Sequence, residues 1–173
     1  MPISHDDIEP ELSNAQEAFR RGGQTLEGGL DVSSADLVQL RKACRLPSGA
    51  DQLLEDGYYT LTIGAAFTSI ERTLLFWLIT EDHHDPAQPP QSHTTAINRS
   101  ADVGFLAGEA ATELEDLWKE NRAHRTTWME WPRTLAQMRW SALLARSIHR
   151  ASISLGNLTN VSVRDLAEKY GGR

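Results

Sequence analysis

The sequence predicts an all-α fold, a bundle of four to five main helices, and three observations carry that expectation. Apolar residues recur at three- and four-residue steps over long stretches, helix-start and helix-stop residues flank those stretches, and no strand-like alternation survives for more than four residues. At 173 residues, with 40% hydrophobic and 24% charged residues, the chain suits one domain with a core large enough to need neither disulfide nor metal. Its single cysteine, Cys44, excludes an intramolecular disulfide and fits a reducing compartment. The opening residues lack a basic-then-apolar leader. The longest apolar stretch, near Leu74 to Ile79, falls far short of the roughly 20 residues a bilayer requires. The expectation is therefore a soluble, cytoplasmic protein that does not enter a membrane.

Taken in order, the segment to about Ser34 is polar and interrupted by Gly22-Gly23 and Gly28-Gly29, with one short helix expected around Glu11 to Arg21. Ser33-Ser34 before Ala35-Asp36-Leu37 reads as a helix start. That helix is expected to stop near Arg45, because the residue before Pro47 avoids the helical region. The clearest helix follows, where Tyr59, Ile63, Ala66, Phe67, Ile70, Leu74, Trp77 and Leu78 form one broad apolar stripe. Glu81 to Ser92, with three prolines and His83-His84, reads as a loop, and Ser92 as the cap of a helix opening at His93. A further helix, broken near Asn98 to Asp102, carries Val103, Leu106, Ala110, Leu114 and Leu117. Pro132 suits the first turn of a last long helix reaching about Leu155, and Ser162 with Asp165 reads as the cap of a short C-terminal helix.

Charge is distributed unevenly. The net charge is −7, yet residues 1–118 hold 7 basic against 20 acidic residues. Residues 119–150 reverse the balance, with Lys119, Arg122, Arg125, Arg133, Arg139, Arg146 and Arg150 against Glu120 and Glu130. Such a stretch either attracts phosphate or solvates the outer face of a helix.

The same stretch contains the candidate chemistry. Continuing the Leu114–Leu117 stripe by helical steps reaches Asn121, His124, Trp128 and Trp131, so an apolar face turns polar and then aromatic. A polar group on a buried face is costly unless paired, and a histidine among cations holds its proton less tightly. His124 is thereby a candidate general acid or base, set against the plainer reading of a core histidine bonded to a carbonyl.

The segment Leu117-Trp118-Lys119-Glu120-Asn121-Arg122-Ala123-His124 resembles the signature of the HEPN domain family, an arginine followed after four to six residues by a histidine, near the start of a late helix. Lys119 stands where that family has arginine, Glu120 where it usually has a polar residue, and Thr126 where some members have a tyrosine. Lysine keeps the charge and loses the planar fork that grips phosphate at two points. The helix from Tyr58-Tyr59 to Trp77, with Ala65-Ala66 and Glu71-Arg72, is similar to the family's first core helix, and Ser92-His93 opens the next element as in many members. The resemblance covers about residues 50–130 and divides the chain into an extension, 1–48, and a HEPN-like helical domain, 49–173.

That resemblance implies a metal-independent ribonuclease without a cofactor, homodimeric through its late helices. It also implies a toxin or defence role beside a nucleotidyltransferase-type antitoxin. Carried over by position, His124 handles the proton of the ribose 2′-hydroxyl or the leaving oxygen, and Lys119 steadies charge on the phosphate. Asn121 and Arg122 position the RNA backbone, while Arg125, Trp128 and Arg133 are expected to bind RNA. The alternative is a non-catalytic HEPN-like module binding RNA or protein. Trp118, Trp128, Trp131 and Trp140 either stack on bases or fill a core or dimer interface. Asp82, His83, His84, Asp85 and His93 match no metal-ligand spacing, and Cys44, with no activating partner nearby in sequence, reads as a small apolar filler.

Overall fold

The computed structural model describes residues 35–88, 92–124 and 131–172, and gives the backbone alone for residues 60, 121–124 and 131–135. The short helix expected at Glu11 to Arg21 lies outside these residues. Within them the protein is all-α and has no strand. Helix α1 spans Ala35–Glu55, α2 Tyr59–Thr80, α3 His93–Asp102, α4 Gly108–His124 and α5 Trp131–Leu155. The short α6, Val163–Asp165, widens into a π-helical turn over Leu166–Tyr170.

Helix α2 sits at the centre, packed by α1, α5 and α3. It was expected to bury one broad stripe, but Leu75 and Phe76 are also buried, as are Thr62, Ser69 and Thr73. A helix apolar on nearly all sides is one surrounded by neighbours. Leu61–Thr80 is long and apolar enough to cross a bilayer by length and composition, yet 72% of its most apolar window is buried inside the bundle. The uninterrupted apolar run within it is short.

Helix α1 departs from expectation most clearly. It does not stop near Arg45 but continues through Pro47 to Glu55, so position 48, the expected domain boundary, lies inside a helix. Leu40, Ala43, Pro47 and Ala50 are buried along its α2-facing stripe. A proline in a helix interior leaves the carbonyl four residues earlier without its N–H donor. That carbonyl belongs to Ala43, and the buried Ser69 hydroxyl of α2 donates to it at 3.3 Å. Tertiary packing thus supplies the hydrogen bond that the proline removes.

The remaining boundaries follow local chemistry. Ser92 adopts the extended backbone of an N-cap before α3, although its hydroxyl engages Thr94 and Thr95 rather than a backbone N–H. The expected break falls at the end of α3, where Gly104 takes φ +75°, and Gly156 takes φ +69° after α5. Both positions require the left-handed conformation that glycine adopts freely. The two loops they open pair with each other, since the Leu158 N–H donates to the Phe105 carbonyl at 2.8 Å and Thr159 donates to Gly104. Phe105 is thereby held on Trp77, with ring centroids 5.6 Å apart. α5 begins with Pro132 in its first turn and ends at Leu155, as expected. At α6 the Asp165 N–H donates to the Ser162 hydroxyl at 3.0 Å, the predicted cap.

Removing the Ser69 hydroxyl should strand the Ala43 carbonyl. Ser69→Ala is expected to lower stability in urea unfolding by about 1–3 kcal/mol. Pro47→Ala in the same chain restores an N–H within reach of that carbonyl and should recover most of the loss, so additive effects in the double-mutant cycle would refute the coupling.

Candidate functional site

The segment singled out from the sequence, Leu117 to His124, occupies the last eight residues of α4, not the opening of a late helix. Buried Ala110, Leu114 and Leu117 seat α4 on the core. Past Leu117 the helix carries Trp118 half-buried, then Lys119 and Glu120 exposed. Lys119 Nζ lies 3.2 Å from Glu115 Oε1, one turn back, and Glu120 Oε2 accepts from Gln137 Nε2 of α5 at 2.8 Å. The backbone remains helical through Asn121, Arg122 and His124. The side chains of these three residues and of Arg133 lie outside the description, as do Arg125 and Trp128 altogether.

What the structure adds to this segment comes from α2 and α3. Trp118 packs against Phe67 of α2 at 4.9 Å and edge-on against the His93 ring at 4.6 Å. His93 is the first residue of α3, set there by the Ser92 cap. Its Nδ1 lies 2.5 Å from Oε2 of Glu71, which is nearly buried on α2. A carboxylate on Nδ1 fixes the orientation of the ring. The other Glu71 oxygen lies 3.6 Å from Arg72 Nη2, and Arg72 Nη1 donates to Gln39 Oε1 of α1 at 2.8 Å. A chain of charge-assisted contacts therefore runs from α1 through Arg72 and Glu71 to His93, and the His93 ring abuts the residue preceding Lys119. From the sequence Glu71 and Arg72 are landmarks of a helix, and His93 a helix opening weighed only against a metal site. The available signal was a carboxylate on an otherwise apolar face, which needs a buried partner.

Other sequence candidates are committed elsewhere. Arg146 pairs with Asp51 of α1 and donates through Nε to the Gly171 carbonyl at 3.1 Å, and Arg150 donates to the Gly172 carbonyl. Two arginines of the basic stretch thus tie the C-terminal tail to α5. Trp118 and Trp140 are half-buried against the core. In the proline-rich loop His84 Nε2 lies 2.8 Å from the Gln88 carbonyl and Asp85 accepts from the Ala87 N–H, so these groups serve the loop's own turns. Among the described residues no three histidine, cysteine or acidic side chains gather as a metal would require.

Cys44 does acquire a partner, one far away in sequence. Its Sγ lies 3.4 Å from His149 Nε2, and the Thr73 hydroxyl lies 3.2 Å from the other ring nitrogen. Burial drives both groups toward neutrality. The Cys44 thiol is pushed up to about 12 against a small pull from Arg45. The His149 imidazole is pushed down to about 4, first by burial and then by the Arg150 charge. A thiol nucleophile requires thiolate at working pH, and this pair holds thiol and neutral imidazole. The arrangement is a hydrogen-bonded core contact joining α1, α2 and α5.

A family model described as a domain of unknown function, DUF8154, matches residues 3–161. No curated protein and no solved structure matches the chain.

The His149 contact predicts acid sensitivity with a definite sign. The unfolded chain protonates this histidine near its ordinary 6.5 and the folded chain only near 4, so falling pH drives protons preferentially onto the unfolded state. Its contribution is complete above pH 6.5 and is lost progressively as pH falls toward 4, at most about 3 kcal/mol. His149→Gln cannot titrate, so its urea midpoint should fall less than the parent's between pH 7.5 and pH 4.5. Equal falls would remove His149 from the account.

Proposed function

We propose, from the premise that the chain belongs to the DUF8154 family of unknown function, that it is a metal-independent ribonuclease of HEPN type. The observation that carries the reading is the Glu71–His93 pair seated on Trp118, immediately before the segment Lys119 to His124. A helical segment bearing a histidine and cations is thereby anchored to an oriented imidazole–carboxylate pair on two other helices. RNA cleavage through the 2′-hydroxyl needs a group to take a proton, a group to return one, and positive charge beside the phosphate. In this reading His124 is the proton-transfer residue and Lys119 the charge stabiliser. Asn121 and Arg122 position the backbone, and Arg125, Trp128 and Arg133 extend the RNA contact. His93 orients the segment through Trp118.

The ion pair of Lys119 with Glu115 does not count against this. An exposed pair one helical turn apart is worth roughly 0.3–0.5 kcal/mol, less than the roughly 1.5–3 kcal/mol of a hydrogen bond to a charged group. A phosphate can therefore draw the ammonium away. On a straight helix Lys119 and His124 stand about 140° apart, so two copies meeting through their late helices would complete each other's site, and we propose a cytoplasmic homodimer. The reading extends to a toxin or defence component held in check by a nucleotidyltransferase-type antitoxin.

A second reading, a non-catalytic module binding RNA or a protein partner, is favoured by lysine in place of arginine and by the engagement of Glu120 with Gln137. Incubating the purified protein with RNA separates the two. Cleavage is expected, and His124→Ala should reduce its rate about 100-fold or more while circular dichroism stays unchanged. Lys119→Arg should raise the rate by restoring two-point contact with phosphate. Undiminished cleavage by His124→Ala would refute the catalytic assignment, and absence of cleavage from both the parent and Lys119→Arg would leave the binding module.

A further inference from the structure

Four of the seven basic residues in the first 118 do not spread over the surface but converge on one cleft. Between α1 and α2 lies a cavity of about 410 Å³ lined by Val38, Arg41, Lys42, Arg45, Leu46, Thr68 and Arg72. Among the described residues no carboxylate lines it, in a chain whose acidic residues outnumber its basic ones. The volume falls within the roughly 300–1,000 Å³ range of small-molecule sites. Helical spacing builds the cationic wall, since Arg41 and Arg45 are one turn apart on α1 with Lys42 between them. Arg72 closes the opposite side from α2, held in place by Gln39 and Glu71.

Arg45 is the telling residue. Its Nε and Nη2 are buried, and among the described residues neither has a hydrogen-bond acceptor. A guanidinium stays charged at any accessible pH, so its buried N–H groups without acceptors carry a desolvation penalty larger than that of a neutral donor. Nε and one Nη together form the edge that binds two oxygens of one planar or tetrahedral anion. Lys42 is exposed beside it, with no ion-pair partner among the described residues, and can reach a third oxygen.

We propose that this cleft is a binding site for a phosphate monoester, with Arg45 at its base, Lys42 at its rim, and Val38 and Leu46 against the organic part of the ligand. The charge count favours a monoester over an internal backbone phosphate. A monoester carries about −1.5 to −2 at neutral pH and offers three unsubstituted oxygens, whereas a diester carries one charge and offers two. The cleft does not depend on the ribonuclease reading, because none of its residues belongs to the α4 segment.

Calorimetric titration of the full chain at low ionic strength tests this with adenosine 5′-monophosphate, inorganic phosphate and adenosine. Saturable binding of the nucleotide is expected, displaced by inorganic phosphate and strengthening severalfold from pH 5.5 to 7.5 as the second proton leaves. Adenosine should not bind. Tighter binding of the nucleotide than of phosphate would assign the site to an esterified ligand, and equal binding to phosphate itself. Arg45→Met, which keeps the aliphatic stem, should weaken binding at least tenfold, and His124→Ala should leave it unchanged. If Arg45→Met fails to fold, the exposed Lys42→Met carries the comparison, with a loss of about threefold or more. Absence of saturable phosphate binding, nucleoside binding equal to nucleotide binding, or unaltered affinity in a folded Arg45→Met or Lys42→Met variant would overturn the proposal.

Discussion

Helix α2 is largely enclosed by its neighbours, so most of the polar side chains it carries are matched by another element or by its own backbone, the buried Trp77 Nε1 being an exception among the described residues. The matches hold the bundle together. Ser69 donates to the Ala43 carbonyl and Arg72 to Gln39, both on α1, while Thr80 donates to Asp36 at its start. Thr73 meets His149 of α5, and Glu71 meets His93 of α3. Apolar burial supplies most of the stabilisation, at about 1.5–3 kcal/mol for each large side chain removed from water. It is non-directional, however, and does not select a register. The polar matches do, because shifting a neighbouring helix by one residue leaves buried groups without partners.

The same constraint accounts for the position of the candidate chemistry. Glu71 is tolerated in the core because Arg72 and His93 flank it, and in return it orients His93 at the start of α3. Trp118 covers that pair and fixes where α4 carries its polar end. By contrast Cys44 and His149, which invite a nucleophilic reading by proximity, are neutralised by burial and serve packing alone. Proximity of reactive residue types is therefore a weaker guide than the exposure and charge of their surroundings.

The two basic regions make a similar contrast. The stretch rich in arginine along the chain spends Arg146 and Arg150 on carbonyls of the C-terminal tail. Cations inconspicuous in sequence, Arg41, Lys42, Arg45 and Arg72, meet across two helices and form the concentrated positive surface. Linear charge density and spatial charge density are different quantities, and an anion responds to the second.

Helix class, the loop from Glu81, the break after α3, the Pro132 start and the Ser162 cap were legible in the sequence, because each depends on residues within a turn or two of one another. The passage of α1 through Pro47, the all-round burial of α2, and the pairings Glu71–His93 and Cys44–His149 were not. Each is decided by a partner 22 or more residues away, as with Ser69 beneath Ala43 and His149 beside Cys44. Local rules treat a proline or a buried carboxylate as though water were its only alternative, whereas the folded chain supplies a hydrogen-bonding partner from another helix. The company α4 keeps near its end, Trp118 on His93 and Phe67, likewise belongs to the part only the tertiary structure decided.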